Sequence, residues 1–293
     1  MKACISTYSF HALTSKGEIK EIDIPKLAHE LGFEAIEVCD IPEDKLDAPE
    51  TYAKELKAEC EKYGITIANF VFGSDFLNGR KESDMNPDCE LARIRGRIDY
   101  AALLGCKTVR HDALWSLGEC PSFDKALEII APRIREISEY ARTKGIKTMV
   151  ENHGFICQAP DRMERLYNAV DCDNFGLLCD IGNFLCSDSE PARSVSIVAP
   201  YTAYVHAKDF YFKSGNSADV PAEGQGCLKT SGGNFIKGAP IGHGCVPVTQ
   251  CLRILKGAGY DGYVTIEYEG AEDCMKGIKI SKENLERAFA NIG

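Results

Sequence analysis

Short runs of apolar and β-branched residues alternate along the chain with longer stretches in which apolar residues recur at helical spacing. The short runs predict eight strands, and the longer stretches predict a helix after each of them. The predicted strands are Ala3–Thr7, Ala35–Cys39, Thr66–Val71, Thr108–Arg110, Thr148–Glu151, Phe175–Cys179, Thr202–His206 and Tyr263–Glu267. The predicted helices are Pro25–Leu31, Pro49–Tyr63, Cys89–Leu104, Phe123–Thr143, Asp161–Val170, Ala192–Val198, Val248–Lys256 and Lys282–Asn291.

The order of these elements predicts the fold class. Eight strands, each followed by a helix, are typical of a (β/α)8 TIM barrel of the α/β class, which we expect to form a single domain over residues 1–293. A doubly wound parallel sheet is the alternative, although no glycine-rich GxGxxG motif follows the first strand. A helix that ends in glycine and turns directly into a strand recurs at Gly32, Gly105 and Gly259, which favours one repeated unit.

One connection is much longer than the others. About 40 residues, rich in Gly, Ser and Lys, lie between Ala207 and Pro247, after the seventh strand, whereas most βα loops have roughly 2–6 residues. A solvent-exposed insertion is one interpretation. In a barrel the βα loops lie on the catalytic face, so we expect this loop to cover the site.

Charge and apolar run lengths exclude some classes of partner. The chain carries 34 Lys and Arg against 44 Asp and Glu, a net charge of −10, which disfavours nucleic acid because phosphate binding needs clustered cations. No apolar run approaches the ~20 residues of a membrane span. The first residues, from Met1 to Tyr8, do not resemble a signal peptide.

The 14 cysteines are irregularly spaced and form no CxxC motif, so they do not indicate a zinc ribbon. Several, such as Cys39 and Cys179, lie inside apolar runs, where a thiol acts as a small hydrophobic group. We therefore expect reduced, mostly structural cysteines in a cytoplasmic protein.

A potential metal ligand ends each of four later strands: Glu151, Asp180, His206 and Glu267. Any one of them alone would be an ordinary loop residue. The carboxyl ends of barrel strands converge on one mouth, however, so we expect the four side chains to face each other there. Three carboxylates in a desolvated mouth repel, and a divalent cation is the simplest group that holds them together.

This donor set also indicates a type of chemistry. Three oxygen donors and one imidazole suit Mn²⁺, which we expect first, as well as Mg²⁺ or Co²⁺, and they would accept Zn²⁺. A cation with open coordination positions suits a hydroxy-ketone substrate, because the cation polarises the carbonyl and stabilises an enediolate. A carboxylate at its edge can take and return the proton.

Five phrases occur in a fixed order between Thr148 and Glu269: Val150-Glu151-Asn152-His153-Gly154, Cys179-Asp180-Ile181-Gly182-Asn183, His206-Ala207-Lys208-Asp209, Ile241-Gly242-His243-Gly244 and Thr265-Ile266-Glu267. In order and spacing they resemble the xylose-isomerase-like TIM-barrel superfamily of sugar isomerases, epimerases and relatives. The first half matches mainly through the phrase from Gly32 to Glu37. The resemblance implies that Glu151, Asp180, His206 and Glu267 bind the metal, and that Glu151 and Glu267 also form the acid/base pair.

Six further residues are candidates for substrate binding: His153, Lys208, Glu37, His111, Trp115 and His11. His153 resembles a family position that touches substrate, while the others follow or end predicted strands or, as for Trp115, would supply an apolar floor. A structural or solvent-exposed role is the alternative for each. Gly242-His243-Gly244 is a candidate for phosphate contact, so free and phosphorylated sugars are both candidate substrates.

The leading hypothesis is a metal-dependent sugar isomerase or epimerase that works through an enediolate. The nearest alternative is a lyase on the same metal site, which would dehydrate a keto-inositol or release the aglycone of a 3-oxo-glycoside. A non-catalytic subunit, a homo-oligomer or a partner subunit that completes the site are further possibilities. Apurinic endonucleases of the superfamily are disfavoured because Asn183 replaces a histidine and Asp219-Val220-Pro221 contains none.

Overall fold

The computed structural model describes residues 1–216, 221 and 226–292. Asp219, Val220 and Gly224 of the long loop lie outside the described residues. The strands are β1 (Lys2–Ser6), β2 (Ala35–Cys39), β3 (Thr66–Phe72), β4 (Thr108–His111), β5 (Lys147–Glu151), β6 (Phe175–Asp180), β7 (Thr202–Ala207), β8 (Asp209–Lys213), β9 (Leu228–Lys229), β10 (Phe235–Ala239) and β11 (Tyr263–Ile266).

Strands β1 to β7 and β11 close into a parallel barrel in the order β1-β11-β7-β6-β5-β4-β3-β2. Each barrel strand begins and ends within one residue of its predicted bounds. The barrel prediction is therefore confirmed. Most strand residues are buried on both faces, which explains why the strands appear in the sequence as nearly continuous apolar runs.

The helices around the barrel are α1 (His11–Thr14), α2 (Ile24–Glu30), α3 (Pro49–Lys62), α4 (Pro87–Leu104), α5 (Phe123–Thr143), α6 (Pro160–Val170), α7 (Pro191–Val198), α8 (Val248–Gly257) and α9 (Cys274–Ile292). Proline in the first turn starts several of them, and the side chains of Asn86 and Ser122 cap α4 and α5. These capping residues explain why most predicted helix bounds are close.

Two helices differ from the prediction. The single turn α1 was not expected, and α9 begins at Cys274 rather than at Lys282. Gly277 obscures the helical pattern at the start of α9, but any side chain there would collide with the Tyr268 ring. Tertiary packing therefore overrides local helix propensity in this segment.

The long loop forms a small antiparallel sheet in the order β8-β10-β9. Phe210 and Ile236 of this sheet pack with Cys186 in a small apolar cluster. A side chain at Gly238 of β10 would collide with the backbone oxygen of Glu269, which follows β11. The sheet therefore lies against the carboxyl end of the barrel, the end at which the candidate ligands lie.

Asp209 anchors the end of the long loop. Its buried carboxylate accepts hydrogen bonds from the backbone N–H groups of Gly242, Gly244 and Val246, at 2.8 to 3.0 Å. These amides already have a partner, so they are not available for the phosphate contact considered from the sequence.

Buried cysteines such as Cys4, Cys179 and Cys251 are free thiols and contribute to the packed interior. Beneath the barrel mouth, Met149, Leu178 and Tyr204 form a separate apolar cluster, and Tyr204 Oη lies 2.8 Å from Thr265 Oγ1. Among the described residues, every helix is too short or too polar to cross a lipid bilayer.

Candidate metal centre

The four predicted ligands meet at the carboxyl end of the barrel. Glu151 and Asp180 are the last residues of β5 and β6, His206 lies near the end of β7, and Glu267 directly follows β11. These four strands are consecutive in the barrel. One ligand atom from each residue lies within 4.8 Å of the corresponding atoms of the other three.

His206 is held by a carboxylate beneath it. Its Nε2 donates to Glu37 Oε2 at 2.8 Å, and Asn69 Nδ2 donates to the same oxygen at 2.9 Å. This leaves Nδ1 facing Glu151 Oε1 and Glu267 Oε1, at 3.6 and 3.5 Å. Burial lowers the pKa of His206, but the carboxylates of Glu37, Glu267 and Glu151 outweigh burial and raise it well above its usual value.

Asp180 presents one oxygen to the centre. Its Oδ1 accepts the backbone N–H groups of Gly182 and Asn183, at 2.8 and 2.9 Å. Its Oδ2 lies 3.6 Å from Lys208 Nζ. Burial and the charges of nearby carboxylates raise the pKa of Asp180 to about 6, although Lys208 opposes this shift.

The two glutamates each pair with a cation. Arg110 Nη2 lies 2.5 Å from Glu151 Oε2, and Lys208 Nζ lies 2.8 Å from Glu267 Oε2. Burial raises the pKa of both carboxyls, but Arg110 and His206 hold the pKa of Glu151 well below its usual value. Lys208 and His206 likewise lower the pKa of Glu267. Both glutamates are therefore ionised at neutral pH.

The arrangement fits a divalent cation. Asp180 Oδ2 and His206 Nδ1 are buried and have no hydrogen-bond partner within the described ranges, although such orphaned atoms are costly. Both atoms belong to the group that could hold a metal ion. Three carboxylates and one imidazole are donors for Mn²⁺, Mg²⁺, Co²⁺ or Zn²⁺, and no thiol takes part.

Two of the predicted substrate-binding residues border the centre. The Lys208 ammonium contacts Glu267 and also lies 3.3 Å from Glu269 Oε1. His153 has a half-buried side chain whose Nδ1 lies 2.9 Å from Asp112 Oδ1. Burial lowers the pKa of His153, but Asp112 outweighs burial and raises it.

Trp115 and His11 lie at the rim of the barrel mouth. Trp115 is exposed and its ring meets the His153 ring edge-on, with centroids 5.0 Å apart. His11 lies in α1, and its ring stacks on the Tyr8 ring at 5.7 Å.

The structure does not bring Glu37 and His111 to the surface of the mouth. Glu37 is fully buried and contacts His206 and Asn69. His111 is fully buried beside Phe72 and Phe76, and burial lowers its pKa to about 4. Glu37 lies beneath His206 and His111 packs against two phenylalanine rings, so neither side chain faces the open mouth.

Arg110, Asp112, Asn183 and Glu269 border the site but were not selected from the sequence. Arg110 bridges Glu151 and Asp112, and Asn183 Nδ2 donates to Glu151 Oε1 at 3.0 Å. The strand-end signal that selected the ligands also applies to Arg110 and Asp112, which lie on either side of His111, the last residue of β4. Glu269, two residues after Glu267, could be found in the same way.

Comparison with known proteins gives a match to the xylose isomerase-like TIM barrel family over residues 25–290. An inosose dehydratase from Glaesserella parasuis is 24% identical over 231 residues, which are 73% of this chain and 73% of that protein. A xylose isomerase-like TIM barrel protein from Mycobacterium smegmatis, solved in complex with magnesium, superimposes with a TM-score of 0.72 at 19% identity, covering 99% of this chain and 97% of that one. The 3-keto-D-glucoside 4-epimerase of E. coli superimposes with a TM-score of 0.66 at 17% identity. The superposition covers 91% of this chain and 94% of the epimerase chain. At these identities the structural likenesses establish the fold.

Proposed function

This chain belongs to the xylose isomerase-like TIM barrel family, and we propose that it is a divalent-metal-dependent enzyme that isomerises or epimerises a sugar or sugar derivative. The convergence of Glu151, Asp180, His206 and Glu267, with ligand atoms within 4.8 Å of one another, carries this proposal. These four residues would hold the cation, with Mn²⁺ as our first choice. When bound, the cation supplies polarisation of a substrate carbonyl and stabilisation of negative charge on its oxygen.

The protein's own groups would move the proton. Glu151 and Glu267 are ionised and come from β5 and β11, which are separated in the barrel by β6 and β7. One carboxylate can take the proton from the carbon beside the carbonyl, which gives an enediolate, and either can return it. Lys208, next to Glu267, can donate a hydrogen bond to a substrate oxygen.

A lyase that uses the same first step is the second candidate. Its support comes from the relative named inosose dehydratase and from the pairing of His153 with Asp112. Asp112 orients the His153 ring at the edge of the mouth, where it could protonate a leaving group. Elimination of water from a keto-inositol, or of an aglycone from a 3-oxo-glycoside, would then follow proton removal.

A small sugar derivative is the partner that this chemistry requires. We also propose a cytoplasmic location, because buried free thiols such as Cys4 and Cys179 suit a reducing compartment. Binding to another copy or to a partner subunit stays a prediction.

Deuterium exchange tests the proposed reaction. Protein loaded with Mn²⁺ is incubated in D2O with ketoses, inososes and 3-oxo-glycosides, and products are followed by NMR. We expect deuterium at a sugar carbon without net elimination; an eliminated product would instead favour the lyase. Purified protein that binds no stoichiometric divalent metal would overturn both reactions.

The proton-transfer roles have their own test. Glu151→Gln and Glu267→Gln should each lower the exchange rate by about 100-fold or more, because the amide cannot accept the proton. Glu128→Gln is the control, since Glu128 lies on the outer surface of α5, where it forms an ion pair with Lys125. Full exchange activity in either active-site variant would refute its assigned role.

A further inference from the structure

A cavity of about 350 Å³ opens beside the candidate metal centre. It lies between the segment after β1, the small sheet and the segment after β11, and its lining includes Tyr8, Phe210, Leu228 and Tyr268. We call it the aromatic pocket. All three walls follow the carboxyl ends of barrel strands, so the pocket is on the catalytic face.

Glu269 connects the aromatic pocket to the metal centre. This carboxylate lines the pocket, and its Oε1 lies 3.3 Å from Lys208 Nζ. Lys208 Nζ in turn lies 2.8 Å from Glu267 Oε2. A ligand whose reacting carbon lies at Glu267 can therefore extend past Lys208 into the pocket.

The walls of the pocket are more apolar than polar and include several flat rings. The nearly parallel rings of Tyr8 and His11, with an interplanar angle of 11°, form one side, and Phe210 and Tyr268 contribute two more rings. Leu228 is 48% exposed and Tyr8 37% exposed, although both are apolar enough to be buried. Rings of this kind bind flat apolar groups by stacking.

Two glycines let the walls of the pocket pack closely. Gly238 and Gly270 both line it, and a side chain at either position would collide with Glu269 or Tyr268. The volume is near the lower end of ligand pockets, which hold roughly 300 Å³ or more. The pocket therefore has room for one ring or a group of similar size.

We propose that the aromatic pocket binds a flat apolar substituent attached to the sugar, so that the substrate is a glycoside or similar conjugate rather than a free sugar or an inositol. This inference rests on the proposed function, since it takes the metal centre as the place of the sugar. The ionic groups Lys208 and Glu269 face the polyhydroxy part, and the rings beyond them face the substituent. Both an epimerase and a lyase could act on such a substrate.

Paired ligands test the proposal. Binding of phenyl and methyl glycosides of several sugars to Mn²⁺-loaded protein is measured by calorimetry. We expect at least one phenyl glycoside to bind about tenfold tighter than its methyl counterpart, because burial of a ring in the pocket adds that much affinity. Leu228→Asn should reduce this preference, and Ala12→Trp, which fills the pocket from an exposed position, should abolish it.

Ala102→Trp is the matched control, because Ala102 is also an exposed helical alanine but lies on α4, at the opposite end of the barrel. It should leave the phenyl preference unchanged. The proposal is overturned if no phenyl glycoside binds better than its methyl partner, or if Ala12→Trp retains the preference. Metal binding is measured separately in every variant, so loss of the metal centre, which would refute the proposed function, is distinguishable from an empty aromatic pocket.

Discussion

Glu37 is the residue that orients the only imidazole of the candidate metal centre. Its carboxylate accepts from His206 Nε2 at 2.8 Å, which leaves Nδ1 facing Glu151 and Glu267. Such an outer carboxylate fixes the histidine tautomer and strengthens the ligand. We therefore assign Glu37 a positioning role rather than the substrate contact expected from the sequence.

Replacement of Glu37 by glutamine should weaken metal binding. The amide keeps the size of the side chain but loses the negative charge, so we expect about a tenfold or greater loss of Mn²⁺ affinity by calorimetry. Glu34→Gln is the control, because Glu34 is an exposed glutamate just before the other end of β2. Unchanged affinity in Glu37→Gln would contradict the positioning role.

The sequence could predict the ligands better than their neighbours, and strand geometry explains why. Successive side chains of a strand point to opposite faces. Of two neighbouring residues of β4, His111 was expected at the mouth and Arg110 was not selected, but Arg110 points inward to Glu151 and His111 points outward to Phe76. Glu37 points inward but stands two residues before the end of β2, which places it one layer deeper.

At the level of elements, the turn after β6 holds Asp180 in place. The backbone N–H groups of Gly182 and Asn183 both donate to Asp180 Oδ1. A Cβ atom on Gly182 would come within 2.6 Å of the backbone oxygen of Lys208. The turn can therefore approach β7 closely only because residue 182 has no side chain.

The substitution Gly182→Ala should disturb this turn. We expect a loss of about 1–3 kcal/mol in the free energy of unfolding, measured by urea denaturation, because backbone atoms must move apart. Metal affinity should fall as well, since the turn positions Asp180. Gly96→Ala is the control: Gly96 is exposed within α4 with no atom near its missing Cβ, and alanine there should stabilise the protein by about 0.5–1 kcal/mol. If Gly182→Ala and Gly96→Ala have the same free energy of unfolding, the close approach of the turn to the backbone at Lys208 is refuted.

The small sheet in the long loop was predicted only as a cover. Its strands pair antiparallel across a glycine-rich segment, with Phe235 opposite Lys213 and Lys229. Such pairings depend on partners distant in the sequence, so local pattern does not reveal them. The same reason applies to the start of α9, where Gly277 packs against Tyr268.

At the scale of the whole molecule, part of the negative charge behind the net charge of −10 is concentrated at one place. Three of the acidic side chains form one cluster at the barrel mouth, in which Glu151 and Asp180 are buried and Glu267 is half-buried. The raised pKa of Asp180 reflects its burial and the charges of the neighbouring carboxylates. A cation that neutralises the cluster binds the folded protein but not the unfolded chain, and so it should stabilise the fold.

Metal removal should therefore lower the melting temperature. At a free Mn²⁺ concentration of about 100 times the dissociation constant, binding adds about 2.7 kcal/mol to the free energy of unfolding, which corresponds to a rise of roughly 5 °C in a protein of this size. Scanning calorimetry of chelator-treated and Mn²⁺-loaded protein measures this difference.

In Asp180→Asn the rise in melting temperature on adding Mn²⁺ should largely disappear, because a ligand charge is lost. Asp173→Asn is the control, since Asp173 is an exposed aspartate before the other end of β6 and should leave the rise intact. An equal rise in Asp180→Asn and in the unaltered protein would mean that the metal binds elsewhere.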